Sequence, residues 1–161
     1  MNVVNGAEFG TNSIGKSTFL MAIDFCFGGD DYVEKLKNVA KNVGDHEINF
    51  AFEFKQQIYY FNRATSNPSI VTICDEHYNK SKDTWSINEF LKWLNINYSN
   101  PTSLSFRAMI SLYLRIYNRE NLSETLPLKS FNNQTEGQSI EILLKLYDLF
   151  DPITDSSRDA K

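Results

Sequence analysis

The sequence lacks the features that mark membrane, secreted and broadly nucleic-acid-binding proteins. Its longest apolar run, FLMAIDFCF, has only about half the length of a membrane span and contains Asp24. No basic region followed by an apolar run precedes it, so the sequence predicts neither a signal peptide nor a membrane anchor. The net charge of −4 excludes a basic footprint over the whole domain, which general binding to nucleic acid would require.

Cysteine is also scarce. Only Cys26 and Cys74 are present, far apart and in no paired spacing, which argues against a zinc site and a disulfide framework. Both lie in apolar runs and are predicted to be buried free thiols. Together with the nucleotide-binding loop described below, free thiols favour the cytoplasm.

The chain is long enough for one domain with a real core. It has 161 residues, of which 42% are hydrophobic and 14% aromatic. No internal repeat or long low-complexity segment interrupts it. We expect one folded domain over residues 1–150 and a polar tail over residues 151–161, which has no hydrophobic anchor.

The most informative stretch is GTNSIGKST, residues 10–18. Gly10 to Ser17 fits the pattern G-x-x-x-x-G-K-[ST] in full. In such a loop successive backbone N–H groups form an anion nest, and the next helix adds the positive end of its dipole. Lys16 is expected to reach the β- and γ-phosphates of ATP, and Ser17 to offer its hydroxyl to Mg²⁺. The predicted nucleotide-binding residues are Gly10, Thr11, Asn12, Ser13, Ile14, Gly15, Lys16, Ser17 and Thr18.

The flanking pattern suits such a loop. An apolar strand is predicted at residues 2–5, and an apolar helix from Lys16 to Phe27 that should be buried on all sides. Gly28 and Gly29 stop this helix. Asp30 and Asp31 then cap a second helix, whose apolar residues recur at helical spacing up to residue 43.

The period changes from residue 47 onwards. Three strands are predicted, at residues 47–54, 58–65 and 69–74, and their connections are too short for crossover helices. They should therefore form an antiparallel meander. Helices follow at residues 86–95, 104–117 and 135–150, the first and the last with capping boxes. The predicted class is α/β.

The segment GTNSIGKSTFLMAIDFCFGG resembles the start of the ATP-binding head of SMC-like and RecN-like ATPases, which are of the ABC type. Asn12, the Gly15-Lys16-Ser17 triplet, Ala22-Ile23 and Gly28 stand at family positions, whereas Ser13 stands where the wider family has Gly. The meander and the LSFR helix look like a little-characterised bacterial branch. The resemblance implies a partial P-loop NTPase fold: a phosphate-loop strand and helix, an antiparallel meander lobe and C-terminal helices.

The same resemblance implies a split enzyme. In such heads a coiled coil separates the N-terminal half from a C-terminal half, which carries the signature motif, the Walker B aspartate and the catalytic glutamate. No Ser-Gly-Gly signature occurs in this sequence. We therefore expect a fragment that binds ATP and Mg²⁺ without hydrolysing ATP alone, and whose tail begins a coiled coil. The expected partners are the C-terminal half and a second head in a homodimer. Only the resemblance suggests DNA, through repair, maintenance or defence of the genome.

Two alternatives stay open. IVTICDE, residues 70–76, has the form of a Walker B strand, with Asp75 on Mg²⁺ and Glu76 as the catalytic carboxylate of a complete small kinase or GTPase. If this strand is the third of a meander, both carboxylates lie in an exposed turn instead. The other alternative is a non-enzymatic interaction module that keeps the loop.

Three arginines of one helical region, Arg107, Arg115 and Arg119, fall near one face and give a weak prediction of a surface that faces DNA or a partner. Arg63 follows an aromatic strand and is expected to be exposed. His46 and His77 have no partner pattern and are predicted to be ordinary surface or strand histidines.

Overall fold

An antiparallel sheet with helices packed against it forms the described part of this chain. A computed structural model describes residues 12–98, 104–114, 135–147 and 149. In chain order the elements are α1 (Asn12–Cys26), α2 (Asp31–Lys35), α3 (Lys37–Val43), β1 (Glu47–Phe54), β2 (Gln57–Ala64), β3 (Ile70–Cys74), β4 (Lys80–Ser86), α4 (Ile87–Asn97), α5 (Phe106–Tyr113) and α6 (Glu136–Leu146). None of these helices is long and apolar enough to cross a membrane.

The sheet is the predicted meander with one more strand. Its order is β1-β2-β3-β4, and each strand pairs antiparallel with the next. The strand β4 was not predicted, because its sequence KSKDTWS is polar and mostly exposed and so has no alternating pattern. Between β1 and β2, Lys55 and Gln56 form a two-residue turn with φ of 51° and 67°. Positive φ at both central residues is the turn geometry that matches the twist of a hairpin.

The core lies between one face of the sheet and the helix α4. Phe50, Phe61 and Val71 are buried on the sheet, and Phe90 and Leu94 are buried on α4. The alternation of β1 is confirmed, since its phenylalanines point inward and its charged residues outward. The capping boxes predicted for the helices α4 and α6 are both present.

The predicted helix after Gly29 is divided in two. It ends at Lys35, and a second helix begins at Lys37, so Leu36 lies at the break with φ −93° and ψ 51°. Apolar spacing continues across this break, which is why periodicity alone does not reveal it. Asp30 stands at the N-cap of α2, but its side chain makes no capping hydrogen bond.

Several predicted features lie outside the described residues. They are the strand at residues 2–5, the break at Asn100-Pro101, the loop at residues 127–134, Arg115, Arg119 and the polar tail at residues 151–161.

Candidate functional site

The N-terminal end of α1 carries the phosphate-loop motif. Gly10 and Thr11 lie outside the described residues, and the backbone from Asn12 onwards is helical, four residues earlier than predicted. Gly15 and Lys16 are exposed, and Ser17 and Thr18 are half-buried. The ammonium of Lys16 and the backbone N–H groups of the first turn are thus placed at the positive end of the helix dipole, where anions are favoured.

The backbone at Gly15 is open to a ligand. A Cβ built on Gly15 meets no heavy atom of the described chain within 4 Å. In a helix that begins at Asn12, the backbone N–H groups left without an intrahelical acceptor are those of the first residues, before Gly15. Of the described side chains of the motif, Lys16 carries a positive charge, and Ser17 and Thr18 carry hydroxyl groups.

The C-terminal end of α1 is held by a buried arginine from β2. The Arg63 side chain donates to the carbonyl oxygens of Phe25 at 2.6 Å, Gly29 at 2.8 Å and Pro68 at 2.7 Å. It also pairs with the Asp30 carboxylate at 2.7 Å, and its guanidinium lies 3.9 Å from the centre of the Phe25 ring. Burial lowers the pKa of Arg63, and the charge of Asp30 opposes this change. A cation at the last carbonyls of a helix stabilises the helix dipole.

A second arginine reaches the same end of α1 from α5. Arg107 Nη1 lies 2.8 Å from Asp24 Oδ1, and Arg107 Nη2 donates to Asp24 Oδ2 at 3.2 Å. Arg107 Nη1 also donates to the carbonyl oxygen of Phe27 at 3.2 Å. Asp24 is fully buried. A Cβ on Gly29 would lie 1.9 Å from Asp24 Oδ2, so this ion pair fits only over a glycine.

Comparison with known protein families shows the family to which this chain belongs. The sequence model of a family described as an AAA domain matches residues 9–161, which is nearly the whole chain. The chain belongs to the AAA domain family. Membership supports a P-loop ATPase and nucleotide binding, and it agrees with the motif at the N-terminal end of α1. Neither the search of curated proteins nor that of solved structures returns a match.

One expectation about an arginine in this AAA domain is wrong. Arg63 was expected to be exposed, but only 1% of its surface is accessible, because three carbonyl oxygens and one carboxylate replace its water. Of the predicted arginine surface, Arg107 pairs with Asp24, and Arg115 and Arg119 lie outside the described residues. The signal was in the sequence: Asp24 lies on the same helical face as Met21 and Phe25, so a carboxylate was to be buried there and needed a cationic partner.

Asp75 and Glu76 lie in the exposed turn between β3 and β4. The Asp75 carboxylate accepts hydrogen bonds from the backbone N–H groups of His77 at 2.9 Å and Asn79 at 2.8 Å, and from the Asn79 side chain at 2.8 Å. These bonds, above all from the Asn79 side chain, hold the pKa of Asp75 below its ordinary value. In this AAA domain the carboxylate of Asp75 therefore organises its own turn, and β3 is antiparallel to both of its neighbours.

The aromatic residues of β2 belong to the sheet and its packing. Phe61 is buried, Tyr59 packs edge-on against Trp93, and Tyr60 packs against Tyr78. His46 is held in a local network: its Nδ1 lies 2.9 Å from the carbonyl oxygen of Gly44, and its Nε2 lies 2.9 Å from the Tyr32 hydroxyl. Since a carbonyl oxygen only accepts, His46 Nδ1 donates to Gly44.

Proposed function

We propose that this AAA domain binds Mg·ATP through Gly10–Thr18. One observation carries the proposal: a complete phosphate-loop motif in the sequence runs into the helix α1, where Gly15 and Lys16 are exposed, in a chain whose match to the AAA domain begins at residue 9. Lys16 supplies the positive charge for the β- and γ-phosphates, and the first-turn N–H groups bind phosphate oxygens. Ser17 offers the hydroxyl ligand for Mg²⁺, which neutralises phosphate charge and polarises the transferring phosphoryl group when it is bound.

The finer proposal is that the chain acts as one half of an SMC/RecN-like head. Its support is the resemblance of GTNSIGKSTFLMAIDFCFGG together with the antiparallel meander that follows it. Hydrolysis would then need a signature motif and a Walker B strand from a C-terminal half, and a second head. On the same resemblance we propose a role in DNA repair, maintenance or defence, in the cytoplasm.

A complete small kinase or GTPase is the weaker proposal. It would need Asp75 and Glu76 at the end of a strand parallel to the phosphate-loop strand, whereas β3 follows β2 through a short turn and pairs antiparallel with it. The carboxylate of Asp75 is already occupied by its own turn. A non-enzymatic module would differ from both proposals in binding no nucleotide.

The test is fluorescent-ATP binding and phosphate release by the purified chain with Mg²⁺, beside Lys16→Ala. We expect binding that Lys16→Ala weakens by at least roughly a hundredfold, since one charged contact to phosphate is lost in a largely preformed site. The matched control is Lys41→Ala, which removes an exposed lysine from α3 and should leave binding unchanged.

Each other outcome would point elsewhere. Turnover by the chain alone that depends on Lys16 would contradict the split-head proposal, and its loss in Asp75→Asn would support the kinase or GTPase alternative. Absence of Mg·ATP binding in the folded wild-type chain would contradict the proposed function and favour the interaction module.

A further inference from the structure

Among the described residues, the burial of the helix α1 is concentrated in its C-terminal half. Its fully buried residues are Met21, Asp24 and Phe25, which form one stripe in its C-terminal half. In its N-terminal half, no residue from Gly15 to Leu20 is buried, and Phe19 is 66% exposed. The contacts of the C-terminal half therefore contribute to the direction in which α1 points its N-terminal end.

The Asp24–Arg107 ion pair joins this end to α5, beside the contacts of Phe25 with Tyr32 of α2 and with Arg63 of β2. Asp24 belongs to α1 and Arg107 to the first turn of α5, and the two are far apart in sequence. Arg107 Nη2 donates to Asp24 Oδ2, and Arg107 Nη1 lies within ion-pair distance of Asp24 Oδ1. Two contacts between a planar guanidinium and a carboxylate restrict orientation as well as distance.

We propose that Asp24 and Arg107 are positioning residues for nucleotide binding: their ion pair over Gly29 fixes the axis of α1 against α5 and so orients the phosphate loop. This inference rests on the proposed function. Lys16 lies about 12 Å along the helix axis from Asp24 (roughly 1.5 Å for each residue), so neither member of the pair would be expected to touch the nucleotide. Their effect is carried by the helix, since a continuously hydrogen-bonded helix rotates as a unit about its anchored end.

The same contact also links nucleotide binding to α5. Thermodynamic coupling is reciprocal: if the pair holds the loop in its binding orientation, a nucleotide bound at the loop must strengthen the hold of the pair on α5. Backbone amides of α5 should therefore exchange with deuterium more slowly when Mg·ATP is bound. Because any ligand of the folded state also slows exchange through global unfolding, the informative signal is a slowing in α5 that exceeds the slowing in α4.

The experiment compares full-length wild type with Asp24→Asn, Arg107→Lys and the double variant Asp24→Asn/Arg107→Gln. Mg·ATP affinity is measured by titration with a fluorescent analogue, under conditions in which circular dichroism shows each variant folded. The double variant leaves no unpaired charge at the site, so it is the one expected to keep the fold. We expect each variant to bind at least roughly fivefold more weakly, and to lose the nucleotide-dependent slowing of exchange in α5.

Glu47→Gln is the matched control. It removes one member of another ion pair, that of Glu47 with Lys80, on the outer face of the sheet. It should change neither the affinity nor the exchange of α5.

The outcomes separate this inference from the proposed function. No Mg·ATP binding by the wild type would overturn both. Wild-type binding with unchanged affinity in the folded double variant, or with no slowing of α5 exchange in the wild type, would overturn the positioning role alone.

Discussion

The two ends of α1 are built in opposite ways. The N-terminal end carries Gly15 and Lys16, which are exposed, and a Cβ on Gly15 would meet no described atom within 4 Å. The C-terminal end is enclosed by two arginines from different elements, which donate to the carbonyl oxygens of Phe25, Phe27 and Gly29. Under the proposed function the two ends have different tasks. The first must be accessible to a ligand, and the second supplies the rigidity that a preformed anion site needs.

Removing the cation at the packed end should have the largest effect on stability. Arg63→Met removes the guanidinium that donates to the carbonyl oxygens of Phe25, Gly29 and Pro68, of which the oxygen of Phe25 still accepts from the N–H of Gly28 at 3.1 Å. It also leaves the Asp30 carboxylate without its cationic partner. We expect the free energy of unfolding to fall by at least about 3 kcal/mol, measured by urea denaturation.

The control for Arg63→Met is Lys35→Met, which breaks the exposed pair with Asp31 on α2. It should cost less than about 1 kcal/mol. Equal losses in the two variants would show that Arg63 is not the structural centre of this end of the helix.

The same substitution at each end tests the comparison most directly. Gly29→Ala places a methyl group 1.9 Å from Asp24 Oδ2 and 2.7 Å from Arg107 Nη2, and should destabilise the fold by about 1–3 kcal/mol. Gly15→Ala meets open space in a helix, so it should leave stability unchanged or raise it by up to about 1 kcal/mol.

Function should respond in the opposite sense at Gly15. The methyl group of Gly15→Ala occupies the space through which a phosphate would approach the backbone, so Mg·ATP binding should weaken although the fold is intact. Calorimetric melting and nucleotide titration on the two variants give both readings. If Gly15→Ala binds Mg·ATP as tightly as the wild type, the phosphate does not approach the backbone at Gly15.

The phosphate-loop motif could be read from the sequence, whereas the contacts at the other end of α1 could not. The loop motif is local, because its residues are adjacent in the chain and their chemistry can be read without knowing the fold. The contacts at the C-terminal end of α1 are not local. Arg63 and Arg107 come from a strand and a helix far along the chain, and only the folded topology brings them to Phe25 and Asp24. The position of Asp24 on the apolar face of α1 indicates that it needs a cationic partner, but the sequence does not indicate which residue that is.

The same contrast holds in the sheet. The strand β1 was predicted with its bounds because EINFAFEF alternates between buried and exposed residues. The strand β4 was missed because its pairing with β3, and not its own pattern, holds it in place, as in Val71 opposite Trp85 and Thr72 opposite Thr84.

The two ends of α1 should also differ in the rate at which a cysteine thiol reacts. Burial raises the pKa of Cys26, the last residue of α1, to about 11. An exposed cysteine at Phe19 in the free half would keep a pKa close to 8.5. At pH 8 we expect Cys26 to react with a disulfide reagent roughly a hundredfold more slowly than Phe19→Cys, because only the thiolate reacts.

The comparison uses two single-cysteine chains. One has Cys74→Ala and keeps Cys26, and the other has Cys26→Ser and Cys74→Ala together with Phe19→Cys. Similar rates for the two thiols would mean that the last turn of α1 opens about as readily as its exposed half.

We expect the smallest effect on the free energy of unfolding at the exposed pair of Glu47 with Lys80, which serves as the control. The hydrogen bond from the Lys80 side chain, and a second from Asn62, hold the pKa of Glu47 below its ordinary value of 4.5. A carboxyl whose pKa is lower in the folded state stabilises the fold above its unfolded pKa, and this contribution is lost as the pH falls through the folded pKa.

Because Glu47 is exposed, Glu47→Gln should lower the free energy of unfolding by less than about 1 kcal/mol at pH 7. In urea denaturation at a series of pH values, the difference between wild type and variant should stay constant down to about pH 5 and shrink below it. If the difference in the free energy of unfolding grew as the pH fell, ionised Glu47 would destabilise the fold. Its pair with Lys80 could then not serve as the control for the buried pair of Asp24 with Arg107.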